Sequence, residues 1–197
     1  MTVIASGHAG KESGTTRRHP VRRFGRQVGY AAALLPIAVW SIGAVAGGRA
    51  DRARARWARV AGLEEAAEAA EAAGVRPGPV RLLAHALPAV PLGLLALIPV
   101  GVEILFVLRG VFYGLVDHGP YDHSWGGPTA GGAWLAHFGI GLPCAAAGLI
   151  VLWLLNRLHA RLAGGMWGLR VGLWPVLVTV LACVGGVALT IAWIHQL

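Results

Sequence analysis

The chain has 197 residues, of which 56% are hydrophobic and 13% are charged, and its formal net charge is +8. This share of charged residues is too small to cover a soluble globule of the same length with polar surface. The arginines lie at the ends of apolar segments, where basic residues orient membrane helices, and this placement argues against nucleic-acid binding. The composition therefore excludes a soluble globular protein and predicts an integral membrane protein.

The chain begins with a basic segment, residues 1–27, that is rich in Gly, Ser, Thr and Arg. It has no apolar periodicity, so we predict a disordered cytoplasmic tail. Residues 28–197 carry the apolar segments and are predicted to form one membrane domain. Cys144 and Cys183 lie inside apolar segments without CxxC spacing, which indicates buried thiols rather than a redox pair or a zinc site.

Three apolar segments are long enough to cross a bilayer, residues 82–116, 133–155 and 171–194. A spanning helix needs about 20 apolar residues, and no helix of a soluble core is apolar on every face over that length. We therefore predict an all-α, polytopic transmembrane helical bundle with three spans. The first segment is longer than one perpendicular crossing, and its prolines at positions 88, 91 and 99 predict kinks.

The basic residues of the links predict the orientation of the helices. The link over residues 117–132 contains no Lys or Arg, whereas the next link carries Arg157, Arg161 and Arg170. Because cytoplasmic links are enriched in basic residues, we expect the first link outside and the second inside. This predicts a multi-pass protein of the inner (cytoplasmic) membrane, with loop 117–132 and the C-terminus outside.

The apolar segment over residues 28–47 has two basic flanks, so the same rule does not orient it. Three arrangements remain open. The segment forms a re-entrant or interfacial hairpin, or it spans once against the charge rule, or residues 82–116 split at Pro99 into two short spans. Pro36 and the glycines at positions 43, 47 and 48 ease a bend, so we rank the hairpin or interfacial form slightly first.

A polar segment at about residues 49–80 follows, and we place it in the cytoplasm. Its first half is basic and its second half is a run of Ala and Glu, which are strong helix formers. We expect an interfacial or cytosolic helix whose basic residues contact anionic lipid or a partner protein, and these residues are Arg52, Arg54, Arg56 and Arg59.

Two ionisable residues, Glu103 and Arg109, lie within the segment of residues 82–116. Charges at that depth are costly unless they are paired or hydrated, so both are candidates for a ligand, proton or partner site. Their six-residue spacing puts them on different faces of an α-helix, so we do not expect them to pair with each other. The alternative is that Arg109 reaches the outer headgroups and Glu103 is protonated or hydrogen-bonded to a neighbouring helix.

The predicted external loop contains an Asp-His pair that recurs after five residues, and a further histidine follows in the next helix. These side chains are of the kind that hold zinc or copper, and the candidates are Asp117, His118, Asp122, His123 and His137. Gly-Pro and Gly-Gly-Pro sequences in the same loop favour an ordered turn instead, in which Asp and His bond to backbone groups. We therefore predict no cofactor, and keep zinc or copper as the alternative.

The other histidines, His85, His159 and His195, are scattered near the predicted interfaces, and we expect them to be solvated or hydrogen-bonded rather than ligands. No second histidine lies at the depth of His137, so a haem between two helices is not expected. The sequence shows no P-loop, nucleophile elbow or kinase motif. We predict that the protein is not an enzyme.

Several motifs between residues 81 and 165 are similar to those of a known family. They are the Leu-Pro-Ala-Val-Pro-Leu-Gly opening (87–93), Trp-Gly-Gly-Pro-Thr in the external link (125–129), and a returning helix that ends Asn-Arg-Leu-His-Ala-Arg-Leu (156–162). The pattern resembles the latter half of a sensor domain of actinobacterial membrane proteins, often found ahead of histidine kinase modules, over about half of the chain. The resemblance implies a small helical module that detects membrane or envelope conditions or accompanies a transporter. No kinase module follows Arg170, so the output would have to pass through a partner.

These features together predict a non-catalytic, sensor-like or accessory subunit that acts through a membrane complex, such as a transporter, a kinase or a respiratory complex, or through further copies of itself. A small transporter or channel component that uses Glu103 and Arg109 is one alternative. A metal or redox subunit that uses the external Asp and His residues is another.

Overall fold

The computed structural model describes residue 25 and residues 28–195, without the side chains of residues 189, 190 and 193. The part of the chain that it describes is helical and contains no strand, which confirms the all-α prediction. The predicted disordered tail lies almost entirely outside the described residues.

The first part of the fold is a group of short helices. Residues 28–32 are helical and lead into α1 (Leu34–Ala46), and α2 (Ala50–Ala61) and α3 (Glu64–Ala72) follow. Helical hydrogen bonding continues through the junction, because the Ala33 N–H donates to the Gly29 carbonyl and the Ala33 carbonyl accepts from Ile37. The chain therefore does not reverse at Pro36, and the hairpin alternative for residues 28–47 is wrong. The interfacial and spanning alternatives remain predictions.

The second part consists of three long helices. α4 (Pro79–Leu105) continues into a π-helical segment (Phe106–Val111) and the short α5 (Tyr113–Val116). Loop 117–129 leads to α6 (Ala130–Gly164), a 3-10 turn (Gly165–Trp167) and α7 (Leu173–Ile194). α4 runs through all three of its prolines, so the split at Pro99 does not occur. Neighbouring helices and local adjustments satisfy the backbone groups that proline leaves free in apolar helices.

Two helical stretches, Pro79–Val111 and Ala130–Trp167, are long and apolar enough to cross a membrane. Their most apolar windows are only 22% and 17% buried within the protein, whereas the core helix of a soluble protein is mostly buried. The apolar stretches Leu34–Ala46 and Leu173–Ala188 are shorter. Two of the three predicted spans are thus matched by helices of spanning length, and the third remains a prediction.

Glycines let these helices approach one another closely. A Cβ on Gly93 of α4 would lie 2.6 Å from the backbone of Leu35 in α1, and a Cβ on Gly148 of α6 would lie 2.7 Å from the Glu103 carboxyl group. The Leu95 side chain of α4 lies within 3.1 Å of the corresponding position on Gly186 of α7. α4 is therefore the central helix, with α1, α6 and α7 packed around it.

Arg54 joins α2 to α3 and to the start of α4. Its guanidinium is 2.9 Å from the Asp51 carboxylate and 3.7 Å from that of Glu71, and its Nε donates to the Pro77 carbonyl at 3.2 Å. Gly62, with φ of +68°, makes the left-handed turn between α2 and α3, a conformation that glycine adopts without steric cost. The predicted polar helical segment thus forms as two helices in a compact hairpin.

Candidate functional site

A cavity of about 840 Å³ lies between the end of α4, the start of α6 and the loop that joins them. Ligand sites are typically concave, largely apolar and supplied with a few polar groups, and this cavity has that character. Its polar and aromatic lining residues are Phe106, Arg109, Tyr113, Asp117, Tyr121, His123, Ser124, Trp125 and His137. We call it the loop cavity.

The π-helical segment forms one wall of the loop cavity because two glycines make room for a ring. Cβ atoms on Gly110 and Gly141 would lie 2.6 Å and 2.7 Å from the Phe106 ring, so the ring fits between α4 and α6 only because both positions lack side chains. Trp134 of α6 donates its Nε1–H to the Gly110 carbonyl at 2.7 Å. Isolated π-helical turns occur often at functional sites, and this one shapes the cavity.

The floor and the loop side of the cavity are held by aromatic contacts. The Tyr113 ring lies 4.8 Å from the His137 ring and 6.3 Å from the Tyr121 ring, centroid to centroid. The Tyr121 hydroxyl donates to the Asp117 carbonyl at 3.0 Å, which ties the loop back to the end of α5. His137 Nδ1 lies 2.8 Å from the Ala133 carbonyl. A carbonyl only accepts, so Nδ1 carries the proton, and a neutral His137 has Nε2 as an acceptor.

Arg109 brings positive charge to this largely apolar cavity. Its side chain is exposed, and it has no ion pair or hydrogen bond with any residue that the structure describes. The Ser124 Oγ is buried at the cavity wall and likewise finds no hydrogen-bond partner among the described residues. The Asp117 carboxylate instead accepts the Gly119 N–H of its own loop at 3.2 Å. The cavity therefore offers the Arg109 cation to an acceptor group.

The structure brings only some of the predicted metal ligands together. Asp117, His123 and His137 line the loop cavity, whereas His118 and Asp122 are exposed and do not. Among the described residues, no three His, Cys, Asp or Glu side chains are close enough to hold a metal ion. The arrangement does not assemble the five candidates into one centre.

Glu103 lies outside the loop cavity, at the crossing of α4 and α6. Its Oε1 is buried against Gly148 and has no hydrogen-bond partner among the described residues. Arg109 is separated from it by the start of the π-helical segment. The described residues show no ion pair between Glu103 and Arg109.

Replacing Glu103 with glutamine is expected to raise the apparent Tm in detergent at pH 8. One carboxylate oxygen of Glu103 is buried without a hydrogen-bond partner among the described residues, which is unfavourable when the group is ionised, and the amide has the same shape without the charge. Thermal unfolding followed by circular dichroism measures the effect. Glu68→Gln, at an exposed position of α3, removes the same charge without the burial. A lower Tm for Glu103→Gln alone would show that the carboxylate is stabilised by a group it contacts.

The basic face of α2 is exposed at three of the four predicted positions. Arg52, Arg56 and Arg59 are exposed, and the Arg56 guanidinium stacks 4.7 Å from the centroid of the Trp40 ring. Arg54 is the exception, because its guanidinium is buried and bonded to Asp51 and Pro77. A lipid or partner surface on this helix therefore has three arginines rather than four.

A buried aromatic and histidine cluster was not predicted from the sequence. His85 of α4 and His159 of α6 have ring centroids 4.6 Å apart, and Trp57 of α2 covers both rings at 4.9 Å and 5.1 Å. The Tyr30 hydroxyl is hydrogen-bonded to His159 Nδ1. Both histidines are more than nine-tenths buried, so neither is solvated. His159 is hydrogen-bonded, which was the other expected arrangement, whereas the His85 Nε2 has no hydrogen-bond partner among the described residues. In the sequence, His85 lies close to Arg81 and His159 lies between Arg157 and Arg161. This shared position next to arginines was the signal that could have linked the two histidines.

No family model matches the chain, and no curated protein or solved structure is similar to it. The resemblance to the actinobacterial sensor domain therefore stays a prediction.

Proposed function

We propose that this chain is a non-catalytic integral membrane subunit, sensor-like or accessory, that receives an anionic amphipathic ligand in the loop cavity and acts through a partner protein. The observation that carries the proposal is Arg109, an arginine without an acidic partner among the described residues in the wall of a largely apolar cavity of about 840 Å³. A carboxylate or phosphate head would meet the guanidinium, which favours such groups. An apolar chain would lie along Val102, Leu105 and Ile140.

The placement of the site supports a receiving role. The cavity is built by the joint between two helices of spanning length and by the loop that we place outside the membrane. A ligand there contacts the π-helical segment directly, through Phe106 and Arg109. A change in the hydrogen bonding of this segment would rotate the rest of α4, and with it the helices packed on α4.

The test of ligand binding uses three 12-carbon amphiphiles that differ in charge, namely laurate, dodecanol and dodecylamine. With the protein in nanodiscs of neutral lipid, laurate is expected to raise the Tm more than dodecanol, and dodecylamine least. Arg109→Gln is expected to weaken laurate binding by about tenfold and to leave dodecanol unchanged, because it removes a charge-assisted hydrogen bond.

Arg52→Gln is the matched control, since Arg52 is also exposed but lies on α2. An equal loss of laurate binding in both variants would show that the response reflects net charge rather than the loop cavity. No difference between laurate and dodecanol in the unaltered protein would overturn the proposed ligand class.

The partner part of the proposal is tested by purification from the native membrane in mild detergent, followed by mass spectrometry. Recovery of a second membrane protein in stoichiometric amount supports an accessory subunit. Recovery of the chain alone, or in copies of itself, contradicts a separate partner. The transporter alternative needs Glu103 and Arg109 along one path, and the loop cavity is lined by Arg109 and not by Glu103.

A further inference from the structure

A second cavity, of about 600 Å³, lies where α6 ends and α7 begins. His137 in the loop cavity and Asn156 in this one are 19 positions apart in α6, roughly 28 Å at the helical rise. The two cavities are therefore at opposite ends of the same helix. The polar and aromatic residues that line the second cavity are Tyr30, Asn156, Arg157, Arg161, Arg170 and Trp174.

Three arginines line this second cavity, which we call the arginine cavity, and no acidic residue lines it. The ion pairs of the described residues involve only Arg54 and Arg76, with Asp51 and Glu71. Arg157, Arg161 and Arg170 form none, and no acidic side chain lines the cavity. Three like charges in one concave site repel one another, so an anion bound among them would remove an unfavourable interaction as well as add favourable ones.

Tryptophan rings hold two of these guanidinium groups in place. Arg157 lies 4.5 Å from the centroid of the Trp153 ring, and Arg161 lies 5.5 Å from that of Trp174. A guanidinium over an aromatic ring still has N–H donors that can bond to an oxyanion. The arginines are thus partly ordered before any anion binds, which lowers the entropic cost of binding.

Two further features point into the same cavity. Asn156 is more than nine-tenths buried, lines the cavity and makes no side-chain hydrogen bond with the described residues. The first turn of α7 borders the cavity through Trp174 and Pro175. The start of a helix carries partial positive charge on its unpaired N–H groups, which favours an anion.

We propose that the arginine cavity binds the phosphate headgroup of an anionic phospholipid. A lipid fits better than free phosphate because Trp174, which lines the cavity, and its chain neighbour Leu173 are 56% and 82% exposed and offer apolar surface to acyl chains. Basic pockets between spanning helices on the cytoplasmic side are suited to such headgroups. The inference rests on the membrane placement proposed above, but on different residues from the loop cavity.

The experiment compares nanodiscs of phosphatidylcholine with nanodiscs that also contain roughly 20% phosphatidylglycerol, an anionic lipid whose surface charge attracts basic sites. Native mass spectrometry is expected to show phosphatidylglycerol retained on the protein in preference to phosphatidylcholine. The double variant Arg157→Gln, Arg161→Gln is expected to weaken this retention by about tenfold or more.

The control double variant is Arg49→Gln, Arg76→Gln, which removes the same charge from exposed positions outside both the arginine cavity and the basic face of α2. Equal losses in the two double variants would overturn the site, because they would show a diffuse surface attraction. If the Arg157→Gln, Arg161→Gln variant does not fold, the lipid retention of the unaltered protein tests the site. Retention that inorganic phosphate abolishes at equal concentration identifies free phosphate as the ligand, and absence of any preference for phosphatidylglycerol refutes the site. The effect of Arg109→Gln on laurate binding, measured in the same nanodiscs, tests the proposed function separately from the lipid site.

Discussion

Replacing Trp57 with alanine is expected to destabilise the protein by about 3–5 kcal/mol, the usual cost of removing a large buried aromatic side chain. Trp57 has no exposed surface and is the contact by which α2 packs onto His85 and His159. Its loss leaves a cavity between α2, α4 and α6 that the backbone cannot close without moving α2. Circular dichroism in detergent is expected to show a large fall in Tm.

A local measurement separates release of α2 from general unfolding. Trypsin cleaves after arginine, and Arg52, Arg56 and Arg59 all lie on α2. Below the Tm, Trp57→Ala is expected to be cut in α2 faster than the unaltered protein. Trp125→Ala is the control, because Trp125 is 85% exposed in the loop and its removal leaves no void. Equal effects of the two substitutions would contradict the packing role of Trp57.

Trp57→Phe is expected to lower the Tm much less than Trp57→Ala does. The Trp57 Nε1–H is buried without a hydrogen-bond partner among the described residues, and phenylalanine removes this unsatisfied donor while it keeps a ring against His85. The ring accounts for most of the packing energy, and the donor opposes it. A Tm for Trp57→Phe as low as that of Trp57→Ala would show that the donor has a partner in solution.

Periodicity and length predicted the helical class, because a long apolar run can satisfy its backbone only as a helix in lipid. They did not predict the ends of the helices. Residues 82–116 lie in α4, a π-helical segment and α5, and the Phe106 ring at the start of the π-helical segment needs Gly110 and Gly141 to lack side chains. The contact with Gly141 joins residues 35 positions apart, and local sequence patterns carry no information about it.

The candidate sites, like the helices, were predicted from the sequence only in part. Arg109 was predicted because a charge in an apolar segment is recognisable from the sequence alone, and it lines the loop cavity. The second cavity was not predicted, although Arg157, Arg161 and Arg170 had been used to orient the helices. Their convergence depends on the turn at Gly168, where φ is +81° and the chain folds back toward α7. The number of basic residues in a link predicts on which side of the membrane the link lies. Only the fold shows which arginines line the same cavity.

The second large effect is expected at Gly93, where alanine should destabilise the protein by roughly 1–3 kcal/mol, as overpacking usually does. A Cβ there would lie 2.6 Å from both the Cα and the N of Leu35. These are backbone atoms, so no change of rotamer relieves the clash, and α1 must move away from α4. The movement would also disturb Leu34, which is buried in the core cluster.

Gly101→Ala in the same helix is the matched control, and its effect is expected to have the opposite sign. A Cβ at Gly101 meets nothing within 4 Å, and alanine is favoured over glycine in a helix by up to about 1 kcal/mol. The two substitutions therefore separate helix propensity from packing, since both add one methyl group to α4. A rise in Tm for both variants would mean that α1 does not pack on α4 through Gly93. A fall for Gly93→Ala with a rise or no change for Gly101→Ala would establish this contact as the one that holds the N-terminal helices on the bundle.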